Sequence, residues 1–531
     1  MWIGGATACL AAAVGCADGS NPHHPGTPWD AGVPALDAAA SDATPPSSGS
    51  PGAPGIAGRN ARAGRGASAG AGRGSGAGAG RGQDAGAGQG AGTPSTPPPT
   101  RPPEGPTAFP LQVSANGRYL VDRNGAPFLI NQASSWGLIQ TLSTADATSY
   151  LDNLQERGFN TVMISIISFD DRMAGSPPNW QGIAPFTKRW DFSTWNEAYF
   201  AHADEIIRLA DQRHMLVTLV PAYLGFPQDS TQGWADELLH ASNDVEKSRA
   251  YGRFLGERYA DFPNILWIAG GDNQPKAGSE LEARLKAIVE GIREKDSVHL
   301  WTGHWDGQGS GSLARDNRAF AAWMDVNGYY AYNYDRTSER DLESYAMYTG
   351  QPLIHLDMSY ETESGGSPEN IRRKAYGVIL NGGAGSSFCA GPDWYLFFKW
   401  RNMDTQATRE TTYWWNLFKS RAWYELVPDT KHEVVTAGYG ELASASYVSA
   451  ASSGDGRLLV AYLPGGGAIS VDLGKLAGEQ SQLWWYDPTT GTAMSGGMRA
   501  TQGVVRLTPP ARKSWVLVID DAALGLTAPG G

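Results

Sequence analysis

The spacing of apolar positions changes twice along this 531-residue chain. Residues 17 to about 107 show no period at all. From 108 to 427, short runs rich in β-branched and aromatic residues alternate with longer stretches whose apolar positions return every three to four residues. The runs are 127–132, 160–167, 215–223, 264–270, 298–304, 326–332, 352–360 and 385–390; the amphipathic stretches include 144–158, 196–214, 245–260 and 279–295. Eight strand candidates with helices between them predict a (β/α)8 barrel, α/β in class. It is led in by 111–130, where Ala115-Asn116-Gly117 and Arg123-Asn124-Gly125 mark turns between three short runs. From 428 to 531 the helical spacing disappears. RLLVAYL, AISVDL, SQLWWYD, GVVRLT and KSWVLVI read as period-two strands between Gly, Pro and Thr turns, which predicts a small all-β sandwich.

Composition adds a tether and removes several functions. Residues 17–107 are Pro-rich at both ends of a Gly/Ala/Arg tract; such a segment cannot bury a core and is expected to be a disordered linker. Before it, IGGATACLAAAVGC (3–16) is too short to span a bilayer and resembles the end of a bacterial lipoprotein signal peptide, with Ala-Val-Gly before Cys16. Export is expected, with a lipid anchor on Cys16 and a place at the outer membrane or cell surface, or else secretion. A net charge of −12 argues against nucleic acid as a partner. Of the 3 cysteines, Cys9 and Cys16 lie in the leader, which leaves Cys389 alone and excludes a disulfide framework. A monomer is expected.

Barrel enzymes carry their chemistry at the C-terminal ends of the strands. The residues at or just beyond the ends of the runs are Trp136, Asp170, Tyr223, Asp272 with Asn273, His304 with Trp305, Tyr334, Asp357 with Tyr360 and Glu361, and Trp394. This ring is rich in carboxylates and aromatics. It contains no nucleophile elbow, no phosphate-cradling glycine loop and no HExxH. Two carboxylates facing each other across a barrel mouth are what glycoside hydrolysis needs: one protonates the leaving oxygen, the other attacks or activates water. Asp272 belongs to the end of the fourth run, and Asp357 and Glu361 to that of the seventh. Metal binding by His304, Asp306 and the acids is a rival without diagnostic spacing, so no metal and no cofactor are expected.

The segments GRYLVDRNGAPFLINQASSW, GFNTV, NILWIAGGDNQP, TGH, PLIHLDMSYE, RAWYELVPD and WWYDPTTG, in this order, resemble the apiosidase-like glycoside hydrolases, barrels often followed by a small β domain of the collagen-binding type. The resemblance covers about 108–531 and implies a carbohydrate substrate, with Asp272 of the GGD motif as acid/base. Two positions depart from it. Relatives carry Gly-Asp-Thr-x-Trp where this chain has Gln132-Ala133-Ser134-Ser135-Trp136, which implies that a substrate-contacting Asp is missing. Their nucleophile is a Glu in a GEPxYE-like pattern, whereas LDMSYE puts the shorter Asp357 there and keeps Glu361 at its end. Asp357 is expected as nucleophile; a base in an inverting site, or replacement by Glu361, stays open, as does an inactive carbohydrate-binding or adhesion protein. Trp136, Asp170, Tyr223, Asn273, His304, Trp305, Tyr334, Tyr360 and Trp394 are expected to contact substrate.

Overall fold

The computed structural model describes residues 101–103, 105–168, 178–226, 233–308, 310–332, 336–347, 350–358, 360–361, 366–388 and 400–531. The leader with Cys16, the tether up to residue 100, Cys389 and the site candidates Asp170, Tyr334 and Trp394 lie outside them. The lead-in forms an antiparallel sheet of Gln112–Val113, Leu120–Val121 and Pro127–Phe128. Parallel strands follow: β1 (Ile130–Ser134), β2 (Thr161–Ser165), β3 (Leu216–Val220), β4 (Ile265–Gly270), β5 (Trp301–His304), β6 (Asn327–Ala331), β7 (Leu353–Met358) and β8 (Gly385–Phe388). Every residue in them is buried, because helices cover one face and inward side chains of the neighbouring strands fill the other. This is why the runs read as continuously apolar. The first strand starts three residues later than the 127–132 run, whose opening Pro-Phe belongs to the lead-in sheet.

The longer helices are α1 (Thr144–Glu156), α2 (Glu197–Asp211), α3 (Val245–Tyr259), α4 (Glu280–Arg293), α5 (Thr337–Met347), α6 (Pro368–Leu380) and α7 (Gln406–Lys419). Ser143, Asn196, Asp244, Ser279, Ser367 and Thr405 precede six of them, and each side chain accepts a first-turn N–H. Among the described residues no helix is long and apolar enough to cross a membrane.

The parallel strands make a curled sheet in the order β8-β1-β2-β3-β4-β5, while β7 pairs with β6 in a second sheet. The continuous eight-stranded ladder expected from the sequence is therefore interrupted at two seams. Between β5 and β6, Gly328 N–H donates to the Thr302 hydroxyl at 3.0 Å; between β7 and β8, Ala384 N–H donates to Leu353 O at 2.8 Å. The β6–β7 register also slips: Tyr329 faces His355, but Tyr330 faces Asp357. Leu356 is thus the extra residue of a β-bulge. Without it, strict alternation would put Asp357 on the side of His355, whose ring is hydrogen-bonded to Asp341 of the outer helix α5 at 2.7 Å. The bulge turns Asp357 to the inner face.

The C-terminal strands are β9 (Leu426–Pro428), β10 (Val435–Ala437), β11 (Ser449–Ser453), β12 (Leu458–Leu463), β13 (Ile469–Asp472), β14 (Gln480–Asp487), β15 (Thr492–Ala500), β16 (Val504–Leu507) and β17 (Trp515–Asp521). They build an antiparallel six-stranded sheet, β9-β11-β12-β17-β14-β15, and a three-stranded one, β10-β13-β16. Leu459, Ala461, Leu517 and Ile519 pack between the two sheets. Leu458, Val460, Tyr462, Val516 and Val518 pack the other way, with Tyr376 of α6 and Trp414 of α7. The central strands are therefore apolar on both faces rather than alternating, because this sheet is a middle layer. Residues Pro97–Gly531 form one compact unit.

Candidate active site

β4 ends in a backbone that few residues could adopt. Gly270, Gly271 and Asp272 have φ of 99°, 103° and 59°, all left-handed. A Cβ on Gly270 would lie 2.4 Å from His304 O, and one on Gly271 2.8 Å from the Tyr223 ring. The two glycines let the chain leave the strand against β5 and the loop after β3, and Asp272 turns back over the strand ends. Its Oδ2 accepts the Tyr223 hydroxyl at 2.6 Å, and its N–H donates to His304 Nδ1 at 3.1 Å. The side chain is 14% exposed. Burial, chiefly, together with the Asp357 charge pushes the Asp272 carboxyl up from 3.8 to about 6, against the opposing pull of His304 and of the Tyr223 and Tyr330 hydroxyls.

Asp357 sits in the opposite kind of place. It is only 2% exposed but surrounded by donors. Oδ1 accepts from Ser134 Oγ at 3.1 Å and from Met358 N–H at 2.9 Å. Oδ2 accepts from Trp136 Nε1 at 3.3 Å and from the Tyr360 hydroxyl at 3.2 Å.

His304 stands between the two. Nδ1 is 3.3 Å from Asp272 Oδ1 and Nε2 is 3.6 Å from Asp357 Oδ2. Because Nδ1 accepts the Asp272 main-chain N–H, the ring proton is assigned to Nε2, facing Asp357. The ring stacks on Tyr330 at 4.1 Å and meets Trp136 edge-on at 5.1 Å. One atom each of Asp272, His304 and Asp357 lies within 4.8 Å of the others, a nitrogen-and-carboxylate set chemically able to hold a divalent cation as well.

The structure thus gathers Asp272, Asp357, Trp136, Tyr223, His304 and Tyr360. Three other candidates face elsewhere. Glu361 is buried with Oε1 accepting the Ala407 N–H at 3.4 Å, at the positive start of α7. Asn273 Nδ2 donates to Gly225 O, tying two loops. Trp305, expected to contact substrate, lies in the core between sheet and helices, its indole N–H donated to Ala314 O at 2.9 Å; one residue past His304, it has the opposite parity. The expectation that Ala133 vacates a substrate-contacting position is corrected likewise. Its side chain packs in the outer core, whereas its neighbours Gln132 and Ser134 point inward. Sequence reasoning missed Tyr330, which lies inside its run rather than after it, and the inward Ser387 of β8, 3.1 Å from Ser134.

With this geometry in place, the chain can be compared with known proteins. No curated protein matches it. A solved structure described as a glycoside hydrolase is 24% identical with a TM-score of 0.67, covering 78% of this chain and 97% of its own. A glycoside hydrolase family 5 structure from Bacteroides vulgatus ATCC 8482 is 23% identical with a TM-score of 0.66, covering 78% and 94%. These likenesses concern the fold, a glycoside-hydrolase type of α/β sheet. A family model of the "Putative collagen-binding domain of a collagenase" matches residues 427–520. The model of the apiosidase-like catalytic domain matches residues 114–426, more than half of the chain, and the protein belongs to that family.

Proposed function

We propose that this protein hydrolyses glycosidic bonds with retention of configuration, Asp272 serving as acid/base and Asp357 as nucleophile. One observation carries the reading: two carboxylates with oxygens no more than 4.8 Å apart lie in opposite settings, one desolvated and raised to about 6, the other ringed by donors. Retaining enzymes hold their carboxyls about 5–5.5 Å apart and inverting ones about 6.5–9.5 Å. In the first step Asp357 forms an ester bond to the anomeric carbon as the glycosidic C–O bond breaks, and the Asp272 proton passes to the leaving oxygen. In the second, Asp272 takes a proton from water, whose oxygen displaces Asp357. Trp136, Tyr223, His304 and Tyr360 line the space where the sugar would sit. The shorter Asp357 serves because the Leu356 bulge carries it inward.

The two parallel sheets are read as one barrel opened at its seams. The leader supports export with a lipid anchor on Cys16, which a radiolabelled-palmitate assay of wild type and Cys16→Ala would test. The substrate is read as a polysaccharide side chain or oligosaccharide. The enzymatic test is a panel of aryl glycosides, apiosides included, with pectic and hemicellulosic polysaccharides, run on wild type, Asp272→Asn, Asp357→Asn and Glu361→Gln. Loss of turnover in the first two variants with retention in the third is expected. A glycan bound equally by all four and cleaved by none would replace the hydrolase with a binding protein.

A further inference from the structure

We propose that a buried relay, Thr218–Gln132–Ser387–Ser134, is the positioning device for Asp357, with Gln132 as its hub; this rests on the reading of Asp357 as nucleophile. The Thr218 hydroxyl on β3 donates to Gln132 Oε1 at 2.7 Å. Gln132 Nε2 carries two hydrogens: one goes to Leu356 O at 2.6 Å and the other towards Ser387 Oγ at 3.3 Å. Ser387, holding that hydrogen as acceptor, directs its own proton to Ser134 Oγ at 3.1 Å. Ser134 in turn donates to Asp357 Oδ1 at 3.1 Å. Every hydrogen in the relay therefore points the same way, towards the carboxylate. Such chains polarise one another in a dry interior and favour negative charge at their acceptor end.

Gln132 does two things at once. Its bond to Leu356 O holds the extra residue of the bulge, and its bond to Ser387 feeds the donor that orients the carboxylate. Packing alone would place Leu, Ile or Val in a barrel interior, and a buried amide is costly unless its groups are bonded. Gln132 and Thr218 are fully buried, and both amide groups of Gln132 are bonded. Stability does not require an amide here; orientation of Asp357 does.

The test uses full-length protein labelled with 13Cγ-aspartate, in wild type, Gln132→Met, Ser134→Ala, Ser134→Thr and Asp357→Asn. The Asp357 resonance, identified by its disappearance in Asp357→Asn, is expected to move in Gln132→Met and Ser134→Ala and to return towards its wild-type position in Ser134→Thr. On the aryl glycoside that wild type cleaves, kcat should fall roughly 10- to 100-fold in the first two variants. KM should hold within about two-fold and Ser134→Thr should recover turnover, because a misaimed nucleophile costs transition-state rather than ground-state binding. If Gln132→Met does not fold, Ser387→Ala breaks the relay at its middle while leaving the Leu356 bond intact. An unmoved resonance in Gln132→Met, or in Ser387→Ala where that variant takes its place, or Ser134→Thr as impaired as Ser134→Ala, overturns the proposal. Full activity in Asp357→Asn would instead overturn the function reading, and the resonances would still decide the relay.

Discussion

Asp272 and Asp357 end two strands of similar length, yet each is built by a different device. On β4 the device is conformational: three left-handed residues and two absent side chains bring a carboxylate over the mouth, where it loses water and gains few donors. On β7 it is a register slip, which delivers a carboxylate into a cage of hydroxyl, indole and amide hydrogens. Two side chains of the same type thereby stand in opposite surroundings, one desolvated and the other ringed by donors. Environment rather than residue identity sets the two carboxyls apart.

The comparison can be broken most severely by removing either charge. Asp357→Asn should lower kcat/KM roughly 10⁴-fold or more on every substrate. Asp272→Asn should lose roughly 10²–10⁴-fold on substrates with poor leaving groups. It should lose far less on dinitrophenyl glycosides, whose leaving group needs no proton. Steady-state kinetics with leaving groups of graded acidity measures the split, and equal losses on all of them would merge the two roles. Gly270→Ala should come next. Its Cβ would meet His304 O at a backbone angle L-residues avoid, and displacement of Asp272 should cost roughly 10²-fold in kcat, with a lower Tm.

Smaller effects sharpen the picture. The acid must be protonated to act, so kcat/KM should fall as pH rises past about 6. Tyr223→Phe removes a hydrogen bond that stabilises ionised Asp272, so that limb should move to higher pH, with kcat changed only about ten-fold. The same raised value is a stability term. The folded protein holds this proton more tightly than the unfolded chain does, so the contribution is complete below about pH 4. It is lost as pH rises through about 6, with on the order of 3 kcal/mol gone above it. Asp272→Asn should therefore melt higher than wild type at pH 7.5 and level with it near pH 4; calorimetry at the two pH values checks this.

Much of this was legible in the sequence, for definable reasons. Continuous apolar runs located the eight parallel strands because both of their faces are covered. The Gly-Gly-Asp after the fourth run announced its own turn, since only glycine fits so close to a neighbouring strand. Parity is where reading along the chain fails. A bulge adds one residue without a local mark, so nothing in LIHLDM tells that His355 faces out while Asp357 faces in. The same blindness put Trp305 in the pocket and left Tyr330 out. Gln132, Ser134 and Ser387 gain meaning only once three strands are side by side. The seams flanking β6 and β7 depend on pairing geometry that hydrophobicity does not encode. The C-terminal strands misled in the other direction, because a sheet acting as a middle layer loses its alternation.

That middle layer bears on how the molecule could be cut or recombined. Tyr462 of β12 stacks on Tyr376 of α6, with ring centroids 5.0 Å apart and planes 6° off parallel, and Arg372 of α6 donates to Ser514 Oγ at 3.0 Å. Tyr486 of β14 donates to Tyr413 O of α7 at 2.8 Å. A chain ending at residue 426 would uncover the aromatic backs of α6 and α7. Family models place a border there, yet the border is no perforation line. The C-terminal sheets act as an outer wall of the α/β half, and a graft of them between relatives would have to bring the facing surfaces of α6 and α7 along.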